Sequence, residues 1–333
     1  MPRPQPRTVV VTGASAGIGR AVALAFARRG WQIGLIARSK HGLDGARKEI
    51  ELAGGQAMAI SADVADADAI FTAADQINER WGGIDVWVNN AMATIFSPFA
   101  EISPAEYRRA TEVTYLGYVF GTMAALRCMR PRNRGTIVQV GSALSYRAIP
   151  LQSAYCGAKF AIRGFTEALR SELRHQRSGI RITMVQLPAV NTPQFDWARN
   201  KLPFRLQPVP PIHQPEAVAE AILRASQKAP RELWVGFTTI QAILGNMVLP
   251  GLLDRWLARR GYDGQLTSEP ELSVRAGNLF APVADMHAAH GRFDDRARGR
   301  VSALNPAVLR SAIPAAALII IAAAIIFTRS LVE

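Results

Sequence analysis

The sequence predicts an α/β protein, a doubly wound parallel sheet flanked by helices. Three observations carry that expectation. Short apolar runs of strand length alternate with amphipathic helical stretches through the first two thirds of the chain. The connections between strands are long enough to hold a helix, as parallel pairing with right-handed crossovers requires. The first apolar run passes directly into a glycine-rich turn that opens a helix. With 333 residues the chain can bury one large core and still carry an appendage.

Taken in order, Thr8–Val11 reads as a short buried strand, followed by Thr12-Gly13-Ala14-Ser15-Ala16-Gly17-Ile18-Gly19 and a helix to about Arg29. Glycines at such a turn let the backbone approach a pyrophosphate facing the helix N-terminus. The next strand, Gln32–Ala37, leads into Arg38-Ser39, where NAD-binding folds place a carboxylate for the ribose hydroxyl. No carboxylate stands there; Arg38 can pair with a 2′-phosphate, which favours NADP(H) over NAD(H). The alternation continues with a helix from Lys40 to Ala53, a strand Ala57–Ser61 running into Asp63-Val64, and a helix Asp66–Trp81. Then come the strand Val86–Asn90, a long helical region Pro104–Met129, and the strand Thr136–Val140. A helix carrying Tyr155 runs to about Gln176 before the strand Arg181–Gln186. Residues 187–214 lose periodicity and are rich in proline and aromatics, the pattern of a substrate lid. A helix Pro215–Lys228 and a strand Glu232–Val235 close the sheet, giving a catalytic domain of residues 1–237.

The remainder departs from this pattern. Residues 238–260 are apolar and amphipathic, and 261–310 read as a polar linker. Residues 311–328 contain no charge and are bracketed by Arg310 and Arg329. As a helix this run is about 27 Å long, at the short end for a bilayer span. It reads as a membrane anchor that leaves the catalytic domain cytoplasmic.

The net charge of +13 invites a nucleic-acid reading. Only five of the 39 basic residues are lysine and the arginines are scattered, so no phosphate-tracking stripe forms and nucleic acid is not expected as a partner. Two cysteines, Cys128 and Cys156, make neither a disulfide framework nor a metal site. His287 and His290 are the only close histidine pair and read as solvated loop residues; no metal is expected.

The chemistry concentrates in Ser153-Ala154-Tyr155-Cys156-Gly157-Ala158-Lys159, whose Tyr155 stands thirteen residues after Ser142. On a helix Tyr155 and Lys159 share one face. An ammonium about 4 Å from a phenol favours the phenolate by roughly 4 kcal/mol at an effective dielectric near 20, enough to lower a pKa near 10 by up to about three units. That shift would suit general acid–base work.

Together these motifs resemble the short-chain dehydrogenase/reductase family over about Arg7 to Phe237, which implies a Rossmann-type fold. The glycine turn resembles the family's cofactor loop, Asp63 the acid beside the adenine, and Asn89-Asn90-Ala91 its Asn-Asn-Ala-Gly motif. The resemblance implies Tyr155 as acid/base, Lys159 as the residue that lowers its pKa and holds the ribose, and Ser142 as the group orienting the substrate oxygen. It places Gly13, Ser15, Ala16, Gly17, Ile18, Gly19, Arg38, Asp63, Val64, Asn90, Val190 and Thr192 around the cofactor. It also implies a homodimer.

Three positions depart from the family pattern: Met92 for a glycine, Thr114 for the asparagine of the tetrad, and Leu187-Pro188-Ala189 without the usual glycine. Thr114 cannot supply an amide's two donors. Phe96, Leu144, Tyr146, Phe195 and Trp197 are expected to line an apolar substrate site, which points to a small lipophilic carbonyl or alcohol. The leading expectation is therefore an NADP(H)-dependent oxidoreductase. A cofactor-binding redox sensor or scaffold with little turnover is the alternative.

Overall fold

The computed structural model describes residues 6–272 and 277–308. The strand β1 (Thr8–Thr12) leads to α1 (Gly17–Ala27), β2 (Gln32–Ala37), α2 (Lys40–Leu52), β3 (Gln56–Ser61), α3 (Ala67–Trp81) and β4 (Val86–Asn89). A short β5 (Ile95–Phe96) precedes α4 (Pro104–Thr111), which passes through a π-helical turn at Glu112–Leu116 into α5 (Gly117–Met129). The strand β6 (Gly135–Ser142), α6 (Ser153–His175) and β7 (Ile180–Leu187) follow. The main sheet has the order β3-β2-β1-β4-β6-β7 through this half, every pair parallel.

Side-chain caps mark where helices begin. Ser39 accepts from Gly42 N at 3.1 Å at the head of α2. Asp66 does the same for Ala69 at the head of α3. Ser103 and Glu106 form a reciprocal capping box on α4, with Pro104 in its first turn. Two apolar layers sandwich the sheet. One joins it to α1, α2 and the later helix α8 (Pro215–Lys228), around Val22, Phe26, Ile50 and Ile222. The other joins it to α3 and α5, around Ile70, Ile77, Trp87 and Met129. The strands, buried on both faces, are correspondingly apolar along their length.

The segment after β7, where the sequence predicts a substrate lid, contains short regular elements. It holds α7 (Gln194–Trp197), β8 (Arg199–Asn200), β9 (Phe204–Leu206) and β10 (Ile212–His213) before α8. Glu106, buried at the start of α4, clamps it by ion pairs to Arg199 at 3.1 Å and Lys201 at 2.7 Å. These hydrogen bonds outweigh the burial that opposes its charge and hold its carboxyl down to about 2.

After α8, β11 (Glu232–Val235) joins β7 in the sheet, and α9 (Phe237–Val248) and α10 (Pro250–Arg260) form a helical pair. This pair leaves Met247, Val248, Leu249, Leu252 and Trp256 more than half exposed. The segment expected to be a polar linker instead packs back on the domain. Its β12 (Leu266–Pro270) pairs with β9, β13 (Ala297–Arg298) with β10, and β14 (Ala303–Leu304) adds an antiparallel edge to β11. Leu279 and Phe293 are buried along the way.

Among the described residues no helix is long and apolar enough to cross a membrane. The expected anchor, 311–328, lies outside the described residues.

Candidate active site

A cavity of about 850 Å³ runs along the C-terminal ends of the strands, from the glycine turn past Ser142, Tyr155 and Lys159 to an apolar arm beneath α9 and α10. That is where open parallel sheets bind ligands. The glycine turn leaves β1 with Gly13 and Gly17 in the left-handed region, at φ +67° and +57°. A Cβ at Gly13 would sit 2.8 Å from the Ala91 backbone, so this crossing admits only glycine. Asn90 braces the turn, donating from Nδ2 to the Thr12 carbonyl at 3.0 Å, while Thr12 Oγ1 accepts from the Asn90 amide at 3.0 Å.

At the far end β6 delivers Ser142. Its amide donates to Gln186 Oε1 at 2.8 Å, and its hydroxyl accepts from Leu144 N at 3.1 Å. Gln186 is held in turn by Glu232 at 2.7 Å, and Glu232 accepts from the Tyr146 hydroxyl at 2.6 Å and from Trp234 Nε1 at 3.0 Å. Gln186 and Glu232 sit on neighbouring strands far apart in sequence, and no local motif marks them. This network corrects the expectation for Tyr146: it is buried against Trp234 behind Ser142, outside the cavity lining.

Helix α6 brings Tyr155 and Lys159 into the cavity side by side, with Lys159 Nζ 5.5 Å from the Tyr155 ring centre. The ammonium does not point at the phenol oxygen. It donates to Val140 O at 2.7 Å and to the Tyr118 hydroxyl at 3.0 Å, and Tyr118 donates to the same carbonyl at 2.9 Å. The expected lowering of the Tyr155 pKa is therefore absent. Burial pushes it well above the ordinary phenol value, against an opposing hydrogen bond from Ser142. Burial likewise pulls Lys159 down to about 7. Lys159 is buried and Tyr155 half-buried at the cavity wall, and the loss of water around each outweighs the polar contacts it makes.

Thr114 lies outside the cavity lining. It accepts from Ala93 N at 3.0 Å and donates to Ala93 O at 2.7 Å, which ties the π turn to the loop after β4. The group beside Lys159 is Tyr118, one turn further along, which the sequence reading missed. π turns realign the helix face beyond them.

Ser15, Ala16, Gly17, Ile18, Arg38, Asp63, Val64, Asn90, Val190 and Thr192 all line the cavity; Gly19 lies beneath the turn. Asp63 pairs with Arg109. Arg38 donates to the carbonyls of Asn278 and Leu279. Phe96, Leu144, Phe195 and Trp197 also line the cavity; Trp197 packs against His287 at 5.3 Å between ring centres. Neither histidine of the expected solvated pair is free. His287 reaches Ser39, and His290 bridges Glu216 and Asp294 at 2.9 and 2.6 Å.

The sequence matches the short chain dehydrogenase family over residues 7–202. The chain belongs to this family. The uncharacterized oxidoreductase YxnA of Bacillus subtilis is 30% identical over 285 residues, covering 84% of this chain and 80% of its own. The 3-dehydrosphinganine reductase of Danio rerio is 33% identical over 224 residues, 65% of this chain and 67% of its own. A metagenomic short-chain oxidoreductase solved in complex with NADP superposes with a TM-score of 0.56 at 26% identity, covering 67% of this chain and 90% of that one. The protein is thus a short-chain dehydrogenase/reductase enzyme with a Rossmann-type sheet. A nicotinamide cofactor fits the residues present: the glycine turn lines one end of a cavity that runs unbroken to the Tyr155 phenol.

Proposed function

We propose that this enzyme is an NADP(H)-dependent reductase of a ketone carrying a long apolar chain. The observation that carries the reading is the continuity of the cavity. Its polar end meets Ser142 and Tyr155, and its other arm is walled by Phe96, Leu144, Phe195, Leu252, Leu253 and Trp256. The Danio rerio relative is named for a 3-dehydrosphinganine, and a Bos taurus relative at 30% identity for a 3-ketodihydrosphingosine. Both names suit such an arm. Arg38 and Ser39, with no acid beside them on β2, support the phosphorylated cofactor.

Bound NADPH would supply a hydride to the carbonyl carbon. Ser142, its amide fixed by Gln186, orients the carbonyl oxygen through its hydroxyl. Tyr155, kept protonated by burial, delivers its proton to that oxygen, so the carbonyl becomes an alcohol. Lys159 and Tyr118, hydrogen-bonded to each other, stand beside the phenol as its source of replacement protons.

NADPH consumption over a series of ketones graded by chain length tests this directly. kcat/KM should climb with chain length; turnover confined to small hydrophilic sugars or acids would sink the reading. The sensor alternative predicts tight NADPH binding with no oxidation by any member of the series. We further propose that 311–328 holds the enzyme at a membrane. Detergent-free fractionation with and without 311–333 tests it, and wholly soluble full-length protein would refute it.

A further inference from the structure

The apolar arm of the cavity reaches the surface of the protein. Leu252 and Trp256 of α10 line it and are also more than half exposed, so each side chain borders the cavity and solvent at once. Pro208, Val209 and Pro210, in the segment after β7, line the same cavity, and Val209 is 42% exposed. A Cβ at Gly264, just past α10, would stand 4.0 Å from Val209 Cγ1, so this segment and the end of α10 meet at one rim.

Around that rim α9 and α10 turn apolar side chains outward. On α9 Phe237, Leu244, Met247 and Val248 are exposed at helical spacing, while Thr239 and Ile243 are buried on the other face. Leu249 carries the exposed run through the elbow between the helices. Leu252 and Trp256, one turn apart, continue it on α10, whose Leu257 is buried. So contiguous an apolar surface at the mouth of a cavity marks an interaction site.

Charge indicates what it meets. The only acid within residues 237–260 is Asp254, and Arg147 pairs with it at 2.6 Å. Arg255, Arg259 and Arg260 are exposed, and none of them has a carboxylate partner among the described residues. Apolar side chains that enter the acyl boundary, an indole at headgroup depth and guanidinium groups on lipid phosphates are the features of a segment lying in a bilayer interface. A second copy of the chain seated on the same face would bring its own three arginines against these, which disfavours self-pairing.

We propose that α9 and α10 dock this enzyme on an anionic lipid bilayer, and that a ketone dissolved in that bilayer enters the cavity at the rim of Val209, Leu252 and Trp256. The delivery of substrate rests on the long-chain ketone reading above; the docking does not depend on 311–328. Entry from the bilayer spares a long apolar chain the transfer through water that opposes its binding.

Bromine quenching of tryptophan in the full chain tests the docking, because Trp256 is the only exposed tryptophan among the described residues. Phosphatidylcholine–phosphatidylglycerol vesicles brominated near the headgroup should quench the wild type, whereas Trp256→Phe, which keeps an apolar ring, should lose that quenching. Arg255→Gln combined with Arg259→Gln should raise the lipid concentration for half-maximal quenching by about thirtyfold, the effect of two cationic side chains at such a surface. If 311–328 holds every variant on the vesicles, sedimentation stays the same and the quenching plateau falls instead. The double variant should also lose several-fold in kcat/KM for a long-chain ketone carried in the vesicles and keep that for the shortest ketone accepted from solution. Absence of quenching in wild type that cosediments with the vesicles would overturn the docking, as would a double variant that matches wild type. Trp256 shielded from acrylamide before vesicles are added would also overturn it. Shielding that grows with protein concentration would assign the face to a second copy, and shielding that does not would assign it to another part of the same chain. Turnover confined to small hydrophilic substrates would remove the delivery of substrate together with the ketone reading. Failed docking with kcat/KM still climbing with chain length would remove this inference alone.

Discussion

Tyr155 shows how a site is tuned by burial as much as by its neighbours. The sequence places a lysine one turn from a phenol, and the expected effect is attraction. The structure turns the ammonium toward Tyr118 and Val140, and burial then decides both pKa values. A phenol held protonated is a proton donor, which suits carbonyl reduction. Tyr155→Phe should lower kcat by roughly 10³-fold while the NADPH dissociation constant stays within about twofold. Stopped-flow hydride transfer and fluorescence titration would separate the two effects. Lys159 carries a stability cost that can be read from its sign. Its pKa falls from 10.5 when unfolded to about 7 when folded, so the unfolded chain binds more protons between those values and stability rises with pH across them. Lys159→Met should accordingly raise the melting temperature at neutral pH by ~2 °C or more, with turnover lost. A melting temperature unchanged or lowered would show that the buried amine is better solvated than its surroundings suggest.

At the scale of elements, the decisive features are a π turn and a clamp. The turn at Glu112–Leu116 lets Thr114 hold Ala93 while Tyr118, further along, meets Lys159. Helical periodicity anticipates one continuous helix from Pro104 to Met129, and a single inserted residue changes little in that pattern, so the shift of face was not legible. The clamp is Glu106 on Arg199 and Lys201. Its folded pKa near 2 lies below the unfolded value of 4.5, so its contribution is present above pH 4.5 and disappears as pH falls toward 2. Glu106→Gln should destabilise the fold by on the order of 2 kcal/mol at neutral pH and flatten acid sensitivity in that window. Thermal melts at stepped pH would test both, and a variant as stable and as acid-sensitive as wild type would argue against the clamp.

For the whole molecule, the described residues beyond 237 add an edge strand to the sheet and walls to the cavity that the first two thirds define. Residues 277–294 and β14 are held by backbone hydrogen bonds, by side-chain donors such as Arg20, Arg38 and Arg109, and by a titratable bridge, His290 between Glu216 of α8 and Asp294. Burial opposes the imidazolium, but its hydrogen bonds to both carboxylates outweigh that and raise its pKa above 6.5. The bridge is therefore complete below about pH 6.5 and weakens as pH rises through the raised value. The imidazole is more than a third exposed, so the contribution is modest, below ~1 kcal/mol. The melting temperature of wild type should exceed that of His290→Ala at about pH 5.5, with the gap narrowing by about pH 8.5. A constant gap would mean that the bridge does not depend on the imidazole's charge.

The alternation of strands and helices, the glycine turn and the placing of Tyr155 and Lys159 on one helix face were legible in local spacing: a period of residues, a turn that tolerates only glycine, a pair one helical turn apart. Ser142 was joined to them only by the family resemblance. What the tertiary structure alone decided is who faces whom. Tyr118 rather than Thr114 stands beside Lys159, Gln186 and Glu232 support Ser142, Tyr146 belongs to that support, and an apparent linker packs against the glycine turn. Such pairings join residues tens to hundreds of positions apart, mostly through side-chain hydrogen bonds between buried groups, and these leave no period in the sequence.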